Sequence, residues 1–136
     1  MKHITKMSLF GILLLVILSG CSKGGNANEP PPEEANLVVS FGPEVSGGIN
    51  QTLTHEYKFN VVLSSSLPVQ GIEIKIDFVK DSGGSVFSQT LTSTNASNAV
   101  TITGISFNEI GTVTVMITSK SKPTNTTTKT FKLIRK

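Results

Sequence analysis

The chain has 136 residues, with 12 Lys+Arg against 9 Asp+Glu, one Cys, one Tyr and no Trp. That length holds one domain of ordinary size, and a lone cysteine excludes a disulfide framework within the chain. A formal charge of +3 is too small to point to nucleic acid.

The first segment has the parts of an export signal. Lys2 and Lys6 give a positive start, Met7 to Leu18 is apolar but for Ser8, and Ser19-Gly20 supplies small residues before Cys21. As a helix, twelve residues cover only about 18 Å, short of the roughly 30 Å of a bilayer core. Cleavage therefore fits better than a membrane span. The run Leu18-Ser19-Gly20-Cys21 resembles the lipobox of bacterial lipoproteins. The resemblance implies cleavage before Cys21 and a diacylglycerol thioether on its sulfur, usually with an N-acyl chain. A single chain binds membranes only marginally, whereas two or three hold permanently. In that family an Asp after the cysteine favours retention in the inner membrane. Ser22 stands there instead, which implies the outer membrane.

Removing residues 1–20 leaves 116 residues. Lys2 and Lys6 go with them, so ten basic side chains face nine acidic ones. Lipidation of Cys21 leaves no thiol, and stability must come from packing. Residues 21–36 read as the lipidated cysteine and its tether. Gly24-Gly25 is followed by Pro30-Pro31-Pro32 and Glu33-Glu34, with no apolar periodicity. The prolines favour an extended spacer. Fifteen extended residues reach at most about 50 Å.

Residues 37–136 read as one all-β domain. Leu37, Val39 and Phe41 share one parity, as do Tyr57, Phe59, Val61 and Leu63. Ile72, Ile74, Ile76 and Phe78 alternate with Glu73, Lys75 and Asp77. Val86, Phe87 and Leu91 form a weaker segment. Val100 and Ile102 lead to Ile105 and Phe107 with an irregularity at Gly104. Val113, Val115 and Ile117 follow, and Phe131 and Leu133 close the set. A period of two with one apolar parity marks strands with one buried face. Turn clusters separate the segments, among them Gly42-Pro43, Gly47-Gly48, Asp81-Ser82-Gly83-Gly84, Asn108 to Gly111 and Lys122-Pro123. About seven antiparallel strands in such spacing predict a β-sandwich.

The stretch Phe107–Thr118 resembles the penultimate strand of immunoglobulin-like modules on bacterial surfaces, where Gly111 opens an alternating strand. Val113 stands where many members carry Tyr, and the core Trp and paired Cys of antibody domains are missing. The resemblance spans residues 37 to 135 and implies an immunoglobulin-like sandwich.

The chemistry-bearing residues do not assemble into a reactive pattern. His55, beside Glu56, reads as an exposed strand-end residue. Glu73 and Asp77 lie about 13 Å apart along one strand, too far for a glycosidase pair. With Lys75 between them they read as a solvated charge ladder. Asp77, Asp81, Ser82 and Gly83 lack the ligand density of a calcium loop, and Asp81–Gly84 reads as a hairpin turn. Glycan platforms need exposed aromatic faces. Phe41, Phe59, Phe78, Phe107, Phe131 and Tyr57 all fall on core parity, so glycan binding is not expected.

One asymmetry remains. Lys120, Lys122, Lys129, Lys132 and Arg135 crowd the last seventeen residues with no acid among them, and Ser121 to Thr128 reads as a polar hairpin loop flanked by lysines. One reading is contact with an anionic partner, such as lipopolysaccharide phosphates or an acidic envelope protein. The other is protection of a terminal edge strand by lysines. The expectation is a non-enzymatic, membrane-anchored envelope lipoprotein acting through binding, adhesion or structure. No cofactor is expected besides the lipid on Cys21. The alternatives are an accessory subunit of an outer-membrane transport or secretion complex, and a peptidase inhibitor.

Overall fold

The computed structural model describes residues 33–136. The signal, the Leu18–Cys21 motif and the triple proline lie outside the described residues.

Eight strands form: β1 (Val39–Phe41), β2 (Ile49–Thr52), β3 (Tyr57–Leu63), β4 (Ile72–Lys80), β5 (Ser85–Ser93), β6 (Ser97–Ile102), β7 (Ile110–Ser119) and β8 (Thr126–Arg135). No helix forms among the described residues. They build a three-stranded sheet, β1-β3-β6, and a five-stranded sheet, β2-β8-β7-β4-β5. The alternating residues meet between the sheets. Phe59, Val61, Ile72, Ile74, Ile76, Phe78, Ile102, Val113, Val115, Ile117 and Leu133 are all buried.

Aromatic packing anchors one side of this core. The Phe131 ring lies 5.1 Å from both Phe41 and Phe59, edge to face, and 5.9 Å from Tyr57. Offset and edge-to-face pairs add about 0.5–1.5 kcal/mol each beyond area burial. At the start of β7, Gly111 closes a tight approach. A Cβ there would lie 2.5 Å from the Phe78 ring and from the Val79 carbonyl, which accounts for the glycine that opens this strand. The Asp81–Gly84 hairpin also forms as expected, joining β4 to β5. Gly83 and Gly84 take φ of 99° and 94°, a region that L side chains rarely occupy.

Three expectations are corrected. The strands number eight, not about seven. The extra strand, β2, has its outward position filled by Ile49 and its buried one by Asn50. An inverted pattern of that kind gives no alternation signal. The sandwich is also not wholly antiparallel, because β2 runs parallel to β8, pairing Ile49 with Lys132 and Thr52 with Arg135. The chain leaves β1 on the small sheet, turns through Gly42–Gly48, and joins the large sheet as β2. A strand that switches sheets in this way keeps its direction and meets β8 in parallel.

The third correction is Phe107. It lies on core parity, two residues from the buried Ile105, yet it is 72% exposed. Its strand has ended: β6 stops at Ile102, and Phe107 makes only an isolated parallel bridge to Arg135. The small sheet begins and ends at the Tyr57–Ile102 pair on that side. No opposing strand reaches far enough to cover the ring.

Candidate functional site

The strand directions give the sandwich two distinct ends. β4 runs from Ile72, paired with Ser119, to Lys80, paired with Gly111. Eight steps of about 3.3 Å along β4 separate those ends by roughly 26 Å, and the loops beyond them add to this. The chain enters at the Ser119 end, termed here the tether end. The other is the distal end.

At the tether end, buried polar side chains fasten the incoming chain. Asn125 is buried in the turn between β7 and β8. Its Nδ2 donates to the Glu34 carboxylate at 2.7 Å and to the Ala35 carbonyl at 2.9 Å. Its Oδ1 accepts from the Leu37 amide at 3.1 Å. The fully buried Ser119 hydroxyl donates to the other Glu34 oxygen at 2.9 Å and accepts from the amides of Ser121 and Lys122. Lys122 Nζ reaches Glu33 at 3.0 Å. Glu33, Glu34 and Ala35 of the expected tether are thus bound to the domain over this turn.

The five predicted basic residues are spread along the whole length of the molecule. Lys120 and Lys122 sit in the turn at the tether end. Lys129 lies within β8, because the strand starts at Thr126 rather than beyond the lysine. Lys132 and Arg135 lie toward the distal end. Lys122 is paired with Glu33, and Lys132 Nζ contacts both Asp81 oxygens at 2.7 Å. Arg135 Nη1 donates to the Ile105 carbonyl at 3.2 Å, while its Nε is buried without a partner among the described residues. Lys120 and Lys129 are the two of the five with no hydrogen bond or ion pair from the side chain to a described residue.

Lys129 and Lys132 also project to opposite faces of the sheet. Lys129 shares the core parity of Phe131 and Leu133, whereas Lys132 is on the outer face with Thr130. An inward-pointing lysine on an incompletely paired strand discourages indiscriminate sheet extension.

The other candidates from sequence behave as their surroundings dictate. His55 Nε2 lies 3.7 Å from Glu56, and both are exposed. Lys75 meets Asp77 at 3.4 Å, and the Ser88 hydroxyl donates to Asp77 at 2.7 Å, as a solvated ladder requires. Asp81 is held below the ordinary Asp value by its hydrogen bond to Lys132 and the charge behind it, helped by the Thr112 hydroxyl. Glu109 is likewise lowered, first by its bond to Lys80, 2.8 Å away, and then by Ser82. These two acids and two lysines close the distal edge of the large sheet. Tyr57 is pushed up, by burial first and by the Glu44 charge second. Its hydroxyl donates to the Glu44 carbonyl.

The distal end carries what sequence reasoning missed. Leu53, in the β2–β3 loop, is 81% exposed, and Phe107 stands in the β6–β7 loop. Thr52 and Phe107 both pair with Arg135, one on each side of β8. Two strand spacings place their backbones about 10 Å apart. Phe107 is set outward by a loop with two left-handed residues, Gly104 at φ 78° and Asn108 at φ 58°. A non-glycine residue at positive φ is uncommon, though Asn tolerates it best. The Asn108 amide holds the loop to the Arg135 carbonyl at 2.8 Å. The turn signal Asn108–Gly111 was visible in the sequence, but nothing in it showed that the preceding Phe would lie outside the core.

A scan against protein-family models matches none, and a search of curated proteins returns no match.

Proposed function

We propose that this chain is a lipid-anchored protein of the bacterial envelope whose immunoglobulin-like sandwich is a non-catalytic display module. The Leu18–Cys21 motif supports the anchor, and Ser22 supports the outer membrane. The strand order supports the fold family. Taking β1 and β2 as the halves of a first strand, β3 and β6 fall in one sheet as B and E. β4, β7 and β8 fall in the other as C, F and G. That is the division of strands in immunoglobulin sandwiches.

One observation supports the functional reading: the first described residues and the exposed Phe107 ring are at opposite ends. Glu33, Glu34 and Ala35 are bound at the tether end. Leu53 and Phe107 stand in solvent roughly 30 Å away, at the distal end. A large exposed ring at the same end as a second exposed apolar side chain suits protein contact, since aromatic anchors dominate binding energy at such surfaces. The partner is therefore a protein surface that offers an apolar pocket to Phe107.

The test is capture of partners from native envelope after mild detergent extraction. Wild-type chain should retain a specific protein that Leu53→Ser/Phe107→Ser loses. Equal recovery by both would end the distal-tip reading. Cys21→Ser should release the protein from membranes, and a membrane-bound Cys21→Ser form would overturn the anchor.

A further inference from the structure

The sheet switch between β1 and β2 leaves half of β8 without a neighbour. β2 covers β8 only from Lys132 to Arg135. Toward the tether end, Thr126 to Phe131 has β7 on one side and no strand among the described residues on the other. The direction of the free groups follows from bonds already made. The Lys132 carbonyl oxygen accepts from Asn50 Nδ2 on the β2 side, and the Lys136 amide donates to the Thr52 carbonyl on that side. Asn125 accepts from Ser119 on the β7 side. Backbone groups alternate along a strand, so Thr126, Thr128 and Thr130 aim their N–H and C=O groups at the open side.

That edge borders a groove of about 670 Å³. Phe41, Val45 and Ile49 give it apolar walls, and Gly47 and Gly48 line it without side chains. Lys129 and Lys132 are its two charged lining residues, and no carboxylate lines it. Lys132 is already neutralised by Asp81, which leaves Lys129 as the group that sets the charge preference.

We propose that this groove receives an extended acidic peptide segment of another protein, which adds as a strand beside Thr126–Thr130. Main-chain bonds to an exposed edge give affinity, and pockets for alternate side chains give selectivity. In register, the guest residue opposite Lys129 is Asp or Glu. The guest residue opposite Phe131, two positions along on the same face, is apolar and covers Phe41 and Val45. The residue between them faces solvent beside Thr130. Lys129 thus refuses an apolar strand and admits an acidic one, so selectivity comes from repulsion as well as attraction. This contact goes beyond the distal tip and requires neither Phe107 nor the lipid.

The experiment uses the full chain in detergent and a capped synthetic peptide, Thr-Val-Thr-Glu-Thr-Val-Thr. Two control peptides carry Lys in place of Glu, or N-methyl groups on alternate amides. The readout is residue-resolved amide exchange. With peptide, the amides of Thr126, Thr128 and Thr130 should slow by about ten-fold or more, while Thr127, Lys129 and Phe131, already bonded to β7, should not change. Thr128→Pro removes one outward N–H without touching the β7 ladder and should weaken peptide binding by about ten-fold. Lys129→Glu should reverse the preference between the Glu and Lys peptides. Equal binding of the N-methylated peptide, or of Thr128→Pro, would overturn the proposal. So would protection of the same amides without peptide as concentration rises, because the occupant would then be a second copy. Phe107→Ser should bind the peptide as wild type does. Failure of the peptide arm therefore leaves the distal-tip reading standing, and loss of partner capture by Phe107→Ser leaves this one standing.

Discussion

At the tether end, the side chains of a buried asparagine and a buried serine make six hydrogen bonds: four to the incoming chain, at both Glu34 carboxylate oxygens, the Ala35 carbonyl and the Leu37 amide, and two from the turn amides of Ser121 and Lys122. At the distal end, two large apolar side chains stand in solvent on loops whose polar side chains bond within that end, Thr52 and Thr54 to the Glu56 carbonyl and Arg135 to the Ile105 carbonyl. Both ends rest on the same core, but at the distal end the small sheet stops at Ile102 and leaves Phe107 uncovered. The rest of the contrast comes from what the loops do with their polar groups. A buried amide must be paired or it costs about 1–3 kcal/mol, and the tether end meets that demand with neighbours from the incoming chain. The distal loops turn their bonds on their own shape, through Thr52 and Thr54 to Glu56, Asn108 to Arg135 and Ile105 to His55. An end built to hold and an end built to present are thus distinguishable from their hydrogen bonds.

The largest effect should come from the shared core. Phe59 is buried and packs against Phe41, Tyr57 and Phe131. Phe59→Ala should cost about 3–5 kcal/mol, read from urea unfolding, and should lower protection at both ends together. Protection lost at one end alone would mean that the ends do not share a core.

Asn125→Ala should act at one end only. It leaves the Leu37 amide, the Ala35 carbonyl and a Glu34 oxygen without that partner, at about 1–3 kcal/mol. Limited proteolysis should then cut within Glu33–Leu37 while the distal loops keep their exchange rates. Unchanged resistance there would remove the clamp from the account.

A smaller effect belongs to the distal edge. Asp81 and Glu109 have folded pKa values below their ordinary ones. Their contribution is therefore present above the unfolded values and is lost as pH falls through the folded ones. Both acids are partly exposed, so solvent and salt screen the effect. The urea midpoint should decline as pH drops below the ordinary carboxylate range, and Lys132→Ala should flatten that decline. A Lys132→Ala profile parallel to wild type would show that the Asp81 pair does not contribute.

Phe107→Ser should have the least effect on stability, within about 0.5 kcal/mol, as for surface positions away from packing. Its effect should fall on contact instead. A larger stability loss in urea would mean that the ring is buried in solution.

The sequence made the long strands legible because they bury one face each. Ile72, Ile74, Ile76 and Phe78 against Val113, Val115 and Ile117 left no other pattern. The Asp81–Gly84 hairpin was legible because two glycines supply positive φ where a turn needs it. β2 was not, since Asn50 takes the buried place and is satisfied by Ser46, Lys132 and Tyr57, bonds that no periodicity encodes. Phe107 was misread because parity tells which way a side chain points, not whether a second sheet is there to meet it. The basic cluster near the end was visible as composition. Its division between Glu33, Asp81 and the Ile105 carbonyl depends on partners 30 to 89 positions away.

The two ends can be compared directly by placing a photo-crosslinking residue at Phe107 or at Val69. Val69 lies in the β3–β4 loop at the tether end and is 97% exposed. Both positions are apolar and open, so they differ chiefly in the end they occupy. Irradiation of the native envelope should give a discrete protein adduct from position 107 and not from position 69. The same adduct from both, or from position 69 alone, would contradict the assignment of the distal end as the contact surface.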